Sequence, residues 1–434
     1  MMRWIARTVF LAAGLTLAGC STTSDLMLPP DRGVPAASDV SQPTIAPAPV
    51  TILVSIDGFR PDYLDRGVTP NLNALAAGGI SAAMRPSYPS KTFPNHWTLV
   101  TGLRPDRTGI VANKMVDASQ PAPFTMQSDD PYWWNAAEPI WVTAEKAGIH
   151  TATMFWPGSN VAWGGSRSKD WPNPMVGGIR PQDWMQFNQA VSDKQRVDGV
   201  VDWLRRPAAT RPGFVTLYFD EVDTAGHEYG PADPRTTDAV ATVDKAIGRL
   251  REQIAGLGQP VNFVIVADHG MAAISADRVI VLDTFSNTDD YDVVEDGVYA
   301  SVNPKPGKEA AVEKALLGAH GAHLTCYRKA EVPERFHYGH NARVPAILCM
   351  PDTGWTVVAH PPKFKIEGGA HGYDNFSPDM LALFIASGPA IKPLGKLATF
   401  DNVDIAPLLR DLLGLPAGRD LDGDDAPFRA ALGR

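Results

Sequence analysis

Cysteine is scarce in this chain, with three among 434 residues, too few for a disulfide scaffold or a four-thiolate zinc site. Any bound metal must therefore rest mainly on Asp and His. Positive charge is not in excess either: 39 Lys and Arg stand against 48 Asp and Glu, a formal net charge of −9. Such a balance offers no broad basic surface and excludes stable nucleic-acid binding as the chain's purpose. No apolar run reaches the roughly 20 residues that a membrane-spanning helix needs. The apolar and charged fractions, 44% and 20%, are ordinary for a soluble globular protein, so collagen-like, coiled-coil and wholly disordered classes fall away.

Residues 1–20 read MMRWIARTVFLAAGLTLAGC. Arg3 and Arg7 precede an uncharged stretch ending in small residues, the pattern of a secretory signal. Leu17-Ala18-Gly19-Cys20 resembles the bacterial lipoprotein box. That resemblance implies lipidation of Cys20 and, because Ser21 rather than aspartate follows, retention at the outer membrane facing the periplasm. The expectation is a bacterial cell-envelope protein attached to the membrane through its N-terminal lipid, or a secreted one where Cys20 stays unmodified. Residues 21–49 hold six prolines and no aromatic residue, a composition that buries too little surface to order itself, and read as a disordered tether. In an oxidising compartment Cys326 and Cys349 either pair or remain buried free thiols.

Short apolar runs at 51–56 (TILVSI), 214–219 (FVTLYF), 263–267 (FVIVA) and 381–386 (LALFIA) have the continuous character of parallel strands buried on both faces. Helical patterns at 69–77, 139–147, 193–205, 236–254 and 406–413 lie between or beyond them. The alternation predicts a three-layer α/β fold with a mostly parallel central sheet and ligands beyond the carboxyl ends of its strands. Residues 299–358 break the pattern and read as a small α+β excursion within a catalytic domain spanning 50–425.

The polar residues at those strand ends are Asp57, Asp223 with His227, and Asp268 with His269, joined by His371 in a glycine-rich loop. Asp and His without Cys suit zinc or manganese. Singly, each has an ordinary explanation: a strand-terminal Asp caps turns, and Asp223 with His227 has helix-pair spacing. Gly226 between the latter two favours a loop. Their joint occurrence at sheet carboxyl ends favours a metal site. Thr92, within Pro86-Ser87-Tyr88-Pro89-Ser90-Lys91-Thr92-Phe93-Pro94-Asn95-His96, is a candidate nucleophile, since a hydroxyl is activated by metal coordination; the same segment also fits an ordinary loop.

Taken together, ILVSIDGFRPDYL, SYPSKTFPNHWTLVTGLRPDRTGIVANKM, EPIWVTAEKAG, MFWPGSN, YFDEVDTAGHEYGP, VIVADHGM, PERFHYGHNARVP and GGAHGYDN resemble the nucleotide pyrophosphatase/phosphodiesterase family of the alkaline phosphatase superfamily, from about residue 50 to residue 415. The resemblance implies the alkaline-phosphatase-like fold and a site for two Zn²⁺ ions, with other divalent metals admissible. It places Asp57, Thr92, Asp268 and His269 on one ion and Asp223, His227 and His371 on the other. It assigns Thr92 as nucleophile, Asn113 as donor to a phosphate oxygen, Phe93 as a base-stacking ring, and Trp156 and Asn160 to the nucleotide pocket, with Asp220 outside the ligand set. Ordinary core packing suits Trp156 nearly as well, and Asn113 suits a turn.

Two divalent ions about 4 Å apart suit an in-line displacement at phosphorus. The expected activity is cleavage of nucleotide phosphodiester and pyrophosphate bonds to nucleoside 5′-monophosphates through a covalent threonine intermediate, with small nucleotides as the binding partners. Lys114 and Lys146 are the only Lys or Arg between residues 114 and 163, a scarcity that favours a diester over a monoester dianion. The alternatives are a lysophospholipid or choline-headgroup phosphodiesterase, a phosphomonoesterase of the same superfamily, and a non-catalytic metal-binding lipoprotein. A sulfatase is excluded, because Cys349-Met350-Pro351-Asp352-Thr353 lacks the arginine that its motif requires. His96, His150, His320, His323, His337, His340 and His360 receive no catalytic role.

Overall fold

Strands that are apolar at every position need cover on both faces, and the main sheet is built from such strands. In the computed structural model, which describes residues 48–170 and 174–434, it contains β1 (Val50–Ile56), β2 (Ile80–Arg85), β3 (Thr151–Met154), β4 (Asp183–Met185), β5 (Phe214–Phe219), β6 (Val261–Val266) and β7 (Ala382–Ser387). Their order is β2-β7-β6-β1-β5-β3-β4, with the short strands Gly395–Lys396 and Phe400–Asp401 pairing with β2. β1 runs parallel to both β5 and β6, and β3 runs parallel to β4 and β5. The fold is the expected α/β type with a mostly parallel sheet.

The helices are α1 (Pro70–Ala77), α2 (Thr92–Thr101), α3 (Ile140–Lys146), α4 (Asp193–Leu204), α5 (Glu221–Tyr229), α6 (Pro234–Leu257) and α7 (Ile405–Leu412). They pack as two groups, α6 with α1, α4 and α5, and α2 with α3 and α7, which completes the three layers. Local chemistry sets their ends. Ser192 and Gln195 form a capping box on α4. Asp233 caps α6 ahead of Pro234, so that helix begins two residues before the expected 236.

Three differences from the sequence reading have physical causes. The run expected at 381–386 as a parallel strand is β7, antiparallel to both β6 and β2. The chain reaches it from the loop carrying His371, at the edge where β6 ends, and so enters it in the opposite direction. Residues 223–227 are helical in α5, not a loop: Gly226 lies against Met271, where a Cβ would meet Met271 Cε at 3.0 Å, and this close packing stabilises a helix of modest intrinsic propensity. The fold also runs past residue 425, since Phe428 packs among Phe384 and Phe400 and the helix Arg429–Leu432 follows.

The excursion is a five-stranded antiparallel sheet, ordered Tyr291–Glu295, Ala300–Pro304, Ile347–Pro351, Leu324–Arg328, Gly318–His320, with the helix Glu309–Leu316 adding Val312 and Leu316 to its own core. It begins at Tyr291, before the expected 299, and Thr356–Val358 leaves it to pair with Val279–Val281. Cys326 and Cys349 are register partners in this sheet and are joined as a disulfide, so the pairing alternative holds over free thiols. Among the described residues no helix is long and apolar enough to cross a membrane. The proposed signal at 1–20, with Cys20, and all but the last two residues of the 21–49 tether lie outside the described residues.

Candidate active site

Parallel strands end at one edge of a sheet, so β1, β5 and β6 deliver Asp57, the start of α5, and Asp268 with His269 to the same place. Gly58, at φ 67°, turns the chain after Asp57, and a Cβ there would lie 3.1 Å from the Asp223 backbone. Only glycine lets the two segments approach this closely. Two groups of side chains result. Asp57, Asp268 and His269 offer ligand atoms within 4.8 Å of one another, and Asp223, His227 and His371 do the same.

Hydrogen bonds orient the imidazoles. His227 Nδ1 donates to the Gly369 carbonyl at 2.8 Å, His269 Nδ1 to the Gly270 carbonyl at 2.9 Å, and His371 Nδ1 to the Ser90 carbonyl at 2.9 Å. Each Nε2 is thereby turned towards the carboxylates: His269 Nε2 lies 2.9 Å from Asp268 Oδ2 and 3.3 Å from Asp57 Oδ1, and His371 Nε2 lies 3.6 Å from Asp223 Oδ1. A backbone carbonyl behind the ring is the usual way of fixing the tautomer of a metal-binding histidine. Asp57 Oδ1, Asp223 Oδ1 and Asp268 Oδ2 are buried and accept no hydrogen bond. Buried acceptors left this way are costly, and divalent cations beside them would satisfy all three.

The charge balance agrees. Burial pushes Asp57 well above the usual carboxylate range, and the charges of Asp268 and Asp223 push it further. Burial likewise holds Asp223 up against the pull of His227 and His269. For Asp268 burial acts in the same direction, but His269 and His96 outweigh it and hold the group well below that range. Burial, with His269 and His227 beside it, keeps His371 well below the ordinary histidine value, in the neutral form that binds metals.

Thr92 opens α2, and its Oγ1 lies 3.3 Å from His269 Nε2. The reading of this segment as an ordinary loop is thus replaced by a helix N-terminus, which carries partial positive charge. Asn113 Oδ1 accepts from the Phe93 amide at 2.9 Å, which leaves its NH₂ group as a donor. Beside Thr92 opens a cavity of about 400 Å³ lined by Phe93, Trp156, Asn160 and Phe187 among others. Phe93 is braced by Phe124 and Trp134. Trp156 is largely a packing residue, 3% exposed, with its indole N–H donating to the His96 carbonyl at 3.1 Å. Asp220 accepts from Arg196 at 2.8 Å and from Gln189 at 3.1 Å, so it orients its surroundings from outside the two groups.

Sequence reasoning missed three residues here. Tyr218 Oη donates to Asp57 Oδ2 at 2.6 Å; within the continuous apolar run FVTLYF nothing set it apart. His96, left without a role, is fully buried, binds Ser55 Oγ at 2.8 Å and lies 3.4 Å from Asp268 Oδ2. Its spacing of four from Thr92 would have revealed it had the segment been read as a helix. Phe187, in the connection after β4, is 47% exposed at the cavity and carried no signal. His337 and His340, spaced like a metal pair, belong to neither ligand group among the described residues.

Buried Asp and His at the carboxyl edge of a parallel sheet, with a hydroxyl at a helix N-terminus, define a metal-dependent hydrolase class. The sequence profile of the family described as Type I phosphodiesterase / nucleotide pyrophosphatase matches residues 51–374. A Xenopus laevis bis(5′-adenosyl)-triphosphatase is 37% identical over 377 residues, covering 86% of this chain and 79% of its own. A venom phosphodiesterase of Crotalus adamanteus is 35% identical over 379 residues, 84% of this chain and 45% of its own. Murine ectonucleotide pyrophosphatase/phosphodiesterase 5, solved as an inactive threonine-to-alanine variant in complex with AMP, is similar at a TM-score of 0.81 and 33% identity, covering 88% of this chain and 100% of that one. The chain belongs to the nucleotide pyrophosphatase/phosphodiesterase family and is a hydrolase with an alkaline-phosphatase-like fold. The relatives named here are from animals and lend no support to the bacterial lipid anchor.

Ligands that bind only the folded state stabilise it. Stripping divalent metal with a chelator should therefore lower the melting temperature, and adding zinc back should restore it. A melting temperature indifferent to both would contradict a metal at these carboxylates.

Proposed function

We propose that the chain hydrolyses nucleotide phosphodiester and pyrophosphate bonds, releasing nucleoside 5′-monophosphates through a covalent intermediate on Thr92. The observation that carries this reading is the placement of Thr92 Oγ1 at the start of α2, 3.3 Å from His269 Nε2, beside a cavity walled by Phe93 and Phe187. Two zinc ions, held by Asp57, Thr92, Asp268 and His269 and by Asp223, His227 and His371, would activate the hydroxyl as a Lewis acid and neutralise phosphate charge.

The chain's own residues account for the rest. Phe93 and Phe187 offer apolar faces for a nucleobase, a contact worth about 1–3 kcal/mol per stacked base. Asn113, its oxygen tied to the Phe93 amide, presents its NH₂ to a non-bridging phosphate oxygen. Thr92 Oγ1 bonds to phosphorus as the bond to the leaving oxygen breaks, the hydroxyl proton passing through solvent to the departing oxygen. Water then displaces the threonine, which regains its hydroxyl while the nucleoside 5′-monophosphate departs. No Lys or Arg lines the cavity, which favours a singly charged diester over a monoester dianion. The mouse relative bound to AMP supports the nucleotide class.

On residues 1–20 alone we also propose a bacterial envelope location, lipid-anchored at Cys20 or secreted. Mass spectrometry of the N-terminal peptide from membranes should find lipid on Cys20, and an unmodified Cys20 in that fraction would refute the anchor. Zinc-loaded protein should turn over a nitrophenyl ester of thymidine 5′-monophosphate faster than nitrophenyl phosphate. The reverse order would sink the diesterase reading. Thr92→Ala should abolish turnover while the metal content stays; activity at the parent level would remove Thr92 as nucleophile.

A further inference from the structure

Lys91, the residue before Thr92, does not line the cavity that holds Phe93 and Phe187. It reaches the site from the other loop, beside His371: a Cβ on Gly372 would lie 2.8 Å from Lys91 Cε. Its ammonium group donates to Glu295 Oε1 at 2.6 Å, and Tyr299 Oη donates to Glu295 Oε2 at 2.6 Å. The two charged side chains are each 13% exposed, and the ammonium sits 5.4 Å from the centre of the Tyr299 ring. Glu295 comes from the excursion, at the end of the strand Tyr291–Glu295, where the register shifts between Val293 and Glu295. Such bulges re-aim a side chain, often next to active sites. The excursion thus sends a carboxylate across to pair with a cation adjoining the nucleophile.

A largely buried charge acts strongly on its neighbours because solvent screens it little. Unpaired, Lys91 would attract a leaving group that departs as a polyanion; paired, it presents a neutral dipole. Resting on the phosphodiesterase reading above, we propose that Glu295, by pairing with Lys91, sets the leaving-group preference of the site, favouring nucleotide esters whose leaving group bears little charge over those that release inorganic pyrophosphate. Glu295 acts through Lys91 and is a positioning residue that need not touch the substrate.

The test compares kcat/KM for ATP with kcat/KM for the nitrophenyl ester of thymidine 5′-monophosphate. Glu295→Gln keeps the shape and the Tyr299 hydrogen bond but removes the neutralising charge. It should raise the ATP-to-aryl-ester ratio about tenfold, equivalent to about 1.4 kcal/mol, and leave aryl-ester turnover near the parent level. Adding Lys91→Met to Glu295→Gln should return the ratio to the parent value, an outcome that loss of packing would not produce. An unchanged or lowered ratio in folded Glu295→Gln overturns the proposal. Should that variant fail to fold, Glu295→Asp, whose shorter side chain draws the carboxylate back from Lys91, should shift the ratio in the same direction, and no shift there overturns it equally. Parent protein that cleaves neither substrate would instead overturn the phosphodiesterase reading.

Discussion

Three carboxylates, Asp57, Asp223 and Asp268, share one edge of the main sheet, and the need to compensate their charge organises everything around it. Two of them are essentially inaccessible to solvent, and one oxygen of each of the three has no hydrogen-bond donor. Desolvated negative charge at this density is unfavourable unless cations or imidazoles neutralise it. The chain supplies His227, His269 and His371, each turned by a backbone carbonyl so that Nε2 faces the carboxylates, and Tyr218 as a donor to Asp57. The remaining deficit is one that divalent metal would meet. An acidic protein with few basic residues near the site can thereby still handle an anionic substrate.

The sheet edge was legible in the sequence because parallel strands advertise themselves. TILVSI, FVTLYF and FVIVA are apolar without alternation, and each is followed by Asp. Strand direction was not legible, since periodicity carries no sign; β7 is antiparallel only because of where the His371 loop delivers it. The helix α5 was obscured by Gly226, whose cost is offset by packing against Met271, a contact invisible from local propensity. The excursion's first strand was missed because the bulge before Glu295 breaks the alternation that marks strands.

The site itself divides in the same way. Ligand-type residues were visible as residue types at strand ends. Their partners were not: Tyr218, His96 and Phe187 matter through tertiary contacts made by otherwise unremarkable positions. The cavity also contains stored strain, with Phe155 lining it at φ 61°, a conformation that costs a non-glycine residue about 1–3 kcal/mol. A strained, aromatic-walled cavity on one side of Thr92 and a neutralised lysine on the other give the nucleophile two chemically different flanks. A substrate with an apolar base at one end and a separate leaving group at the other matches that asymmetry.

The claim on which the rest depends is that Thr92 is covalently engaged during turnover, so that hydrolysis takes two displacements. The stereochemical course at phosphorus tests it most directly, with a nucleotide ester made chiral there by sulfur and oxygen isotopes. Two in-line displacements give net retention of configuration. Net inversion would mean direct attack by water and would contradict the account.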